Sequence, residues 1–154
     1  MKKILAGMTM MAALASAQLG TKKSMTLAAA KQIAAAAEAE AVKNNWTVVI
    51  AVVDDGANLV YLQKADNTQI GSIEIAQEKA KTSVRLKRPT KALEDVVLGG
   101  RNTVLKAPGV LPIEGGLPLM IDGVVVGAIG VSGVTSQQDG VVAAAGAAAF
   151  EKMK

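Results

Sequence analysis

Thr26 stands before an alanine-rich run reaching Asn44, in which Leu27, Ile33, Ala34, Ala37 and Ala41 recur near one face while Lys31, Glu38 and Lys43 fall elsewhere. That spacing predicts a helix with Thr26 as its N-cap. Trp46 to Val53 is β-branched and apolar on both faces, Asp54-Asp55-Gly56-Ala57-Asn58 is rich in turn formers, and Leu59 to Lys64 resumes an extended pattern. These segments predict a hairpin whose first strand is buried. Helical spacing returns over Gly71 to Lys87, with Ile73, Ile75, Ala76, Ala80 and Val84 as its apolar positions. Arg88-Pro89 ends that helix, because a residue before proline is disfavoured in helical geometry, and Thr90 is placed to cap a short helix through Leu98.

Gly99 to Gly116 holds Gly99-Gly100, Pro108-Gly109, Pro112 and Gly115-Gly116 around the brief apolar pieces Val104-Leu105 and Val110-Leu111. This is the longest loop-like region. Beyond it, Asp122-Gly123 separates Leu117–Ile121 from Val124–Val131, the signature of a hairpin with a two-residue turn at positive φ. Ser136 precedes Gln137, Gln138 and Asp139 in a capping-box-like arrangement, and an alanine-rich helix over Val141 to Met153 closes the chain. The predicted order is α-β-β-α-α-β-β-β-α, with the third of five strands falling in the Gly99–Gly116 region. Sequential hairpins flanked by helices favour an antiparallel sheet between helices over a doubly wound parallel sheet, an α+β arrangement.

A chain of 154 residues, 51% of them apolar and uninterrupted by repeat or linker, suits one domain. Its aromatic residues are Trp46, Tyr61 and Phe150 alone, so the core is built from small aliphatic side chains that let elements approach closely. The absence of cysteine excludes disulfides, thiolate metal sites and cysteine nucleophiles, and the absence of histidine removes the usual general base and the commonest metal ligand. Met1-Lys2-Lys3, the apolar stretch Ile4 to Leu14 and the small-x-small Ala15-Ser16-Ala17 have the form of a secretory signal. That stretch is well short of the roughly 20 apolar residues that span a bilayer. We therefore expect a signal peptide at 1–17, a polar lead-in at 18–24 and a single domain over 25–154, located in the periplasm or secreted. The net charge of +4 falls on loss of Lys2 and Lys3 to 15 basic against 13 acidic residues, which gives nucleic-acid binding no support.

Met25-Thr26-Leu27-Ala28, Ile50-Ala51-Val52-Val53-Asp54 with Gly56, and Ile73 to Ala76 leading into Lys79-Ala80 each carry a weak likeness to a known family. Arg88-Pro89-Thr90, Gly115-Gly116-Leu117-Pro118-Leu119, Val126 to Gly133 and Gln138-Asp139 follow in order and make it specific. From about Met25 onward the chain resembles the GlcG/HbpS family, which includes the C-terminal domain of PduO-type corrinoid adenosyltransferases. The resemblance implies a profilin-like α-β-α sandwich with an antiparallel sheet of about five strands, and a homo-oligomer. It implies haem or another tetrapyrrole as ligand, and for an extracellular member a membrane sensor or redox partner. The chain departs from the PduO-type domain in having no histidine for haem iron, leaving Tyr61, a methionine, a lysine, or a Thr or Ser oxygen.

Gly115, Gly116 and Pro118 combine missing Cβ atoms with a missing amide donor, so the backbone there either approaches a flat ligand or turns into a strand. Lys79, Lys81, Arg85, Lys87, Arg88 and Lys91 form a basic group on and after one helix, able to hold carboxylates or to be a solvated face. Arg88 stands out because Pro89 and Thr90 fix its backbone and its planar fork suits a carboxylate. Gly127 and Gly130 in a β-branched strand imply close packing of a ligand or of the helix at Ala144 to Ala149. Asp54, Asp55, Asp122 and Asp139 sit in turns and at a helix start and call for no metal, and Gly99-Gly100-Arg101 lacks the features of a phosphate loop. Ligand-binding candidates are thus Lys79, Thr82, Arg88, Thr90, Gly115, Gly116, Pro118 and Tyr61, with no catalytic residue assigned. Three readings stand in order: a ligand-binding protein, an oligomeric accessory protein, and a small-molecule enzyme for which Lys79 beside Thr82 is the one nominated pair.

Overall fold

The computed structural model describes residues 20–153. The expected signal peptide at 1–17, with Gln18 and Leu19 of the lead-in, lies outside the described residues. Four helices, α1 (Leu27–Lys43), α2 (Ser72–Leu86), α3 (Thr90–Leu98) and α4 (Ser136–Glu151), accompany four strands, β1 (Val49–Asp54), β2 (Leu59–Lys64), β3 (Gly116–Ile121) and β4 (Val124–Ser132). The strands form one antiparallel sheet in the order β2-β1-β4-β3. Helices α1 and α4 pack on one face, where Ile33, Ala37, Ile50, Ile129, Val131 and Val142 share a core. Helix α2 covers the other, with Ala76 against Val49 and Ala51, and Ala80 and Val84 against Val53 and Ala128. A central strand covered on both faces reads as a continuous apolar run, which is why Val49 to Val53 is buried at every position.

Thr26 caps α1 as the sequence predicts, its side chain accepting from the Ala29 amide at 3.1 Å. Leu27 turns outward, and Ala30 joins Ile33, Ala34, Ala37 and Ala41 on the buried face. The Asp122-Gly123 turn has φ of +51° and +78°, the paired positive values that a two-residue hairpin needs.

Elsewhere the structure corrects the sequence reading. Among the described residues the sheet has four strands, not five: the expected third strand is replaced by a short 3-10 helix, Asn102–Lys106, and irregular chain. The apolar pieces there are two residues long, Gly100 and Gly109 adopt φ of +93° and +64°, and Pro108 and Pro112 have no amide to give a ladder. The capping box of the last helix is Thr135 with Gln138, one residue before the predicted Ser136, and α4 is helical from Ser136 onward rather than from Val141. The residue before α3 is Pro89, and Thr90 is the first helical residue, its hydroxyl used elsewhere. Gly130 is explained by α2 and not by the C-terminal helix, since a Cβ there would lie 2.1 Å from the Ala76 carbonyl oxygen.

Candidate functional site

Four of the ligand-binding candidates named from the sequence meet in a buried polar knot where α2, α3, the start of β3 and the start of α4 converge. Lys79 is 1% exposed, and its Nζ lies 2.7 Å from Asp139 Oδ2. The other Asp139 oxygen accepts from the Val134 amide at 3.2 Å. Burial raises the Asp139 carboxyl above the ordinary aspartate value, while the Lys79 ammonium and the Val134 and Gly133 amides act against the shift. Thr90 Oγ1 accepts from the Gly116 amide at 2.9 Å and donates to the Gly116 carbonyl at 3.4 Å, which stitches α3 to β3. A Cβ at Gly116 would meet the Lys79 carbonyl at 2.4 Å, and one at Gly115, where φ is +124°, would lie 2.9 Å from Lys79 Nζ. The double glycine thus lets the chain pass directly over Lys79.

Glu94 and Glu114 extend this knot, and the sequence alone singled out neither. Glu94 accepts from the Glu114 amide at 3.1 Å and from the Ser136 hydroxyl at 3.5 Å. Glu114 Oε2 is buried without a hydrogen-bond partner among the described residues, and its side chain lies against Gly140. Burial raises the Glu114 carboxyl above its ordinary value.

Two open clefts lie beside the 99–113 segment, outside the knot. One, of about 370 Å³, is lined by Leu86, Leu93, Val96 and Val104 together with Arg88, Arg101 and Thr103. That volume falls within the roughly 300–1,000 Å³ of small-molecule sites. Among the described residues neither guanidinium has an ion-pair partner, and Arg88 Nε donates to the Leu86 carbonyl at 3.3 Å. The Arg88 backbone is fixed: Lys87 ends α2 at φ of +53°, and the buried Ser83 hydroxyl donates to the Arg88 carbonyl at 2.8 Å. The second cleft, of about 460 Å³, shares Ala107 and Val110 with the first but carries Glu74 and Glu78. The chain between the clefts is clamped from α2, where Thr82 Oγ1 accepts from the Leu111 amide at 2.8 Å and Arg85 donates to the Gly109 carbonyl at 3.4 Å.

The basic group of the sequence is therefore dispersed. Lys79 is enclosed, Lys81 pairs with Glu78, Lys91 pairs with Asp95, Arg85 clamps the loop, and Arg88 faces the cleft. Thr82 is fully buried and committed to the loop backbone. Pro118 sits on β3, an edge strand, where a missing amide donor is tolerated. Tyr61 lies on β2 at the opposite edge of the sheet, packed toward the α1 side with its hydroxyl donating to Gln63 at 3.2 Å. The structure brings Lys79, Thr90, Gly115 and Gly116 together, seats Arg88 in the neighbouring cleft, and keeps Tyr61 apart.

Residues 25–148 match the family described as haem-degrading protein HbpS-like. The chain belongs to the HbpS-like family. Protein GlcG of Escherichia coli K12 is 44% identical over 112 residues, covering 73% of this chain and 84% of that protein. The crystal structure of a doubly substituted HbpS from Streptomyces reticuli superposes with a TM-score of 0.78 at 33% identity, covering 89% of this chain and 96% of that one. A crystal structure of a PduOC:haem complex superposes with a TM-score of 0.74 at 30% identity, covering 82% and 95% of the two chains. The HbpS-like fold thus accounts for the four-stranded sheet and the helices on both its faces.

Proposed function

We propose that the protein binds haem or a related tetrapyrrole in the cleft between α3 and the 99–113 segment. The observation that carries this reading is that one cleft is lined both by apolar side chains and by Arg88 and Arg101, neither of which has an ion-pair partner among the described residues. A tetrapyrrole has matching chemistry, a flat apolar macrocycle with carboxylates along one side. Support comes from the family's haem-degrading description and from the related fold captured with haem. Leu86, Leu93, Val96 and Val104 would hold the macrocycle by apolar contact, and Arg88 and Arg101 would take the carboxylates through charge-assisted hydrogen bonds. Apolar side chains and two cations lining one cleft match the chemistry of the macrocycle and its acids. Bound haem would supply its iron chemistry, and the chain's own contribution is to hold the ring and limit water on its covered face.

Titration with ferric haem, followed at the Soret band, is expected to give a saturable one-to-one shift. Arg88→Ala and Arg101→Ala should each weaken binding about tenfold, the loss of about one charge-assisted contact, and Tyr61→Phe should leave it unchanged. A broad, unsaturable change would contradict the proposal.

Two further parts of this reading are export and self-association. Export follows from the leader pattern at 1–17 and is tested by the amino terminus of the secreted or periplasmic protein, expected at Gln18. Ile70 and Leu98 are 83% and 79% exposed, apolar positions suited to contacts in a homo-oligomer. Light scattering of the purified protein tests that assembly.

A further inference from the structure

We propose that the cleft recognises the tetrapyrrole independently of its metal, so that a metal-free dicarboxylate porphyrin binds as well as haem. This inference rests on the tetrapyrrole reading above and concerns where the binding energy comes from. Strong axial ligation of haem iron needs an imidazole, a thiolate, a thioether or a phenolate, and the chain contains no histidine and no cysteine. Among the described residues, no tyrosine, methionine or lysine lines the cleft. Tyr61 is on the far edge strand, and Met25 is buried against Gly127 on the α1 side of the sheet. Lys79, the one fully buried lysine among the described residues, has its ammonium committed to Asp139.

Along the cleft itself the polar side chains are Arg88, Arg101 and Thr103. A guanidinium stays protonated and has no lone pair for a metal, which leaves a neutral threonine hydroxyl, a weak ligand. The apolar lining and the two cations act on features that every dicarboxylate porphyrin shares, with or without a metal. Apolar contact scales with the covered area of the ring, and the ionic contacts depend on the carboxylates. The ligand class is therefore a planar apolar macrocycle bearing two acids on one side, and the metal is a passenger in recognition.

The test compares ferric protoporphyrin IX, metal-free protoporphyrin IX and the metal-free dimethyl ester on the purified protein, with Arg101→Ala and Thr103→Val beside the wild type. The two free acids are expected to bind within about threefold of one another, and the diester markedly more weakly. Arg101→Ala should weaken both acids by the same factor. Thr103→Val should change neither the affinities nor the electronic spectrum of the bound ferric form. Ferric haem binding more than about tenfold tighter than the metal-free acid, or a Thr103→Val spectrum altered at the iron, would overturn metal-independence while leaving the tetrapyrrole reading intact. If none of the three ligands binds saturably, both fall.

Discussion

Lys79 and Asp139 are 60 positions apart in the chain and meet at 2.7 Å in the interior. Removing one member of such a pair strands a charge where water cannot reach it, which costs about 3–5 kcal/mol. Lys79→Met is therefore expected to lower the urea midpoint sharply, and Lys79→Met with Asp139→Leu to recover much of the loss. Equal destabilisation of single and double variants would show that the pair is not the cause. Glu114 is a second carboxyl raised by burial, with no hydrogen-bond partner on its Oε2 among the described residues. Because its folded-state value is raised by burial, its favourable contribution is complete below the ordinary glutamate value of 4.5 and is lost as pH rises through the folded value. Glu114→Gln should match the wild type in acid and exceed it in stability at neutral pH, measured by thermal unfolding across the range. The sequence half-discloses these residues. Lys79 falls on the Ala76–Ala80–Ser83 stripe of a helix, so its burial was readable from helical spacing. Asp139 was readable as a residue at a helix start, and one of its oxygens does serve the preceding turn. That the other reaches Lys79 depends on the packing of α4 beside β3, which no local pattern encodes.

At the level of elements, two glycines of the β3–β4 hairpin separate conformational cost from packing cost. Gly123 has φ of +78° with open space around a would-be Cβ, so Gly123→Ala should cost about 1 kcal/mol or slightly more from backbone strain alone. Gly130 has an ordinary backbone, but its Cβ would sit 2.1 Å from the Ala76 carbonyl and 2.6 Å from the Ala80 nitrogen. Gly130→Ala must push α2 off the sheet and is expected to cost about 3 kcal/mol or more, and the ordering of the two unfolding midpoints checks the account. The Asp-Gly turn was legible because two adjacent residues determine it. The partner of Gly130 was not, since a glycine in a strand announces a close approach without saying from which face. The missing third strand has the same origin in reverse: Val104-Leu105 and Val110-Leu111 are apolar enough for a strand, but the glycines and prolines around them prevent a ladder. Those apolar residues line the two clefts instead.

For the whole molecule, the antiparallel sheet and, apart from the expected third strand, the element order could be read from alternating hairpins and helices, because each hairpin is local and each helix carries its own periodicity. The candidate site was legible in part. Arg88 was singled out for a backbone fixed by Pro89, and the structure adds Ser83 and the left-handed Lys87 to that anchoring. Arg101 was passed over, because Gly99-Gly100-Arg101 resembles nothing that binds phosphate and the fold alone brings it to the cleft that Arg88 also lines. Tyr61, proposed from chemistry alone, is displaced from that cleft by the strand order, which puts β2 and β3 at opposite edges. The proposed ligand site places a tetrapyrrole in the cleft between α3 and the 99–113 segment with its carboxylates on the two arginines. A crystal structure of the protein with bound ferric haem tests it most directly. The macrocycle is expected against Leu86, Leu93 and Val104 with its carboxylates on Arg88 and Arg101, and density for haem beside Tyr61 or in the cleft of Glu74 and Glu78 would contradict that placement.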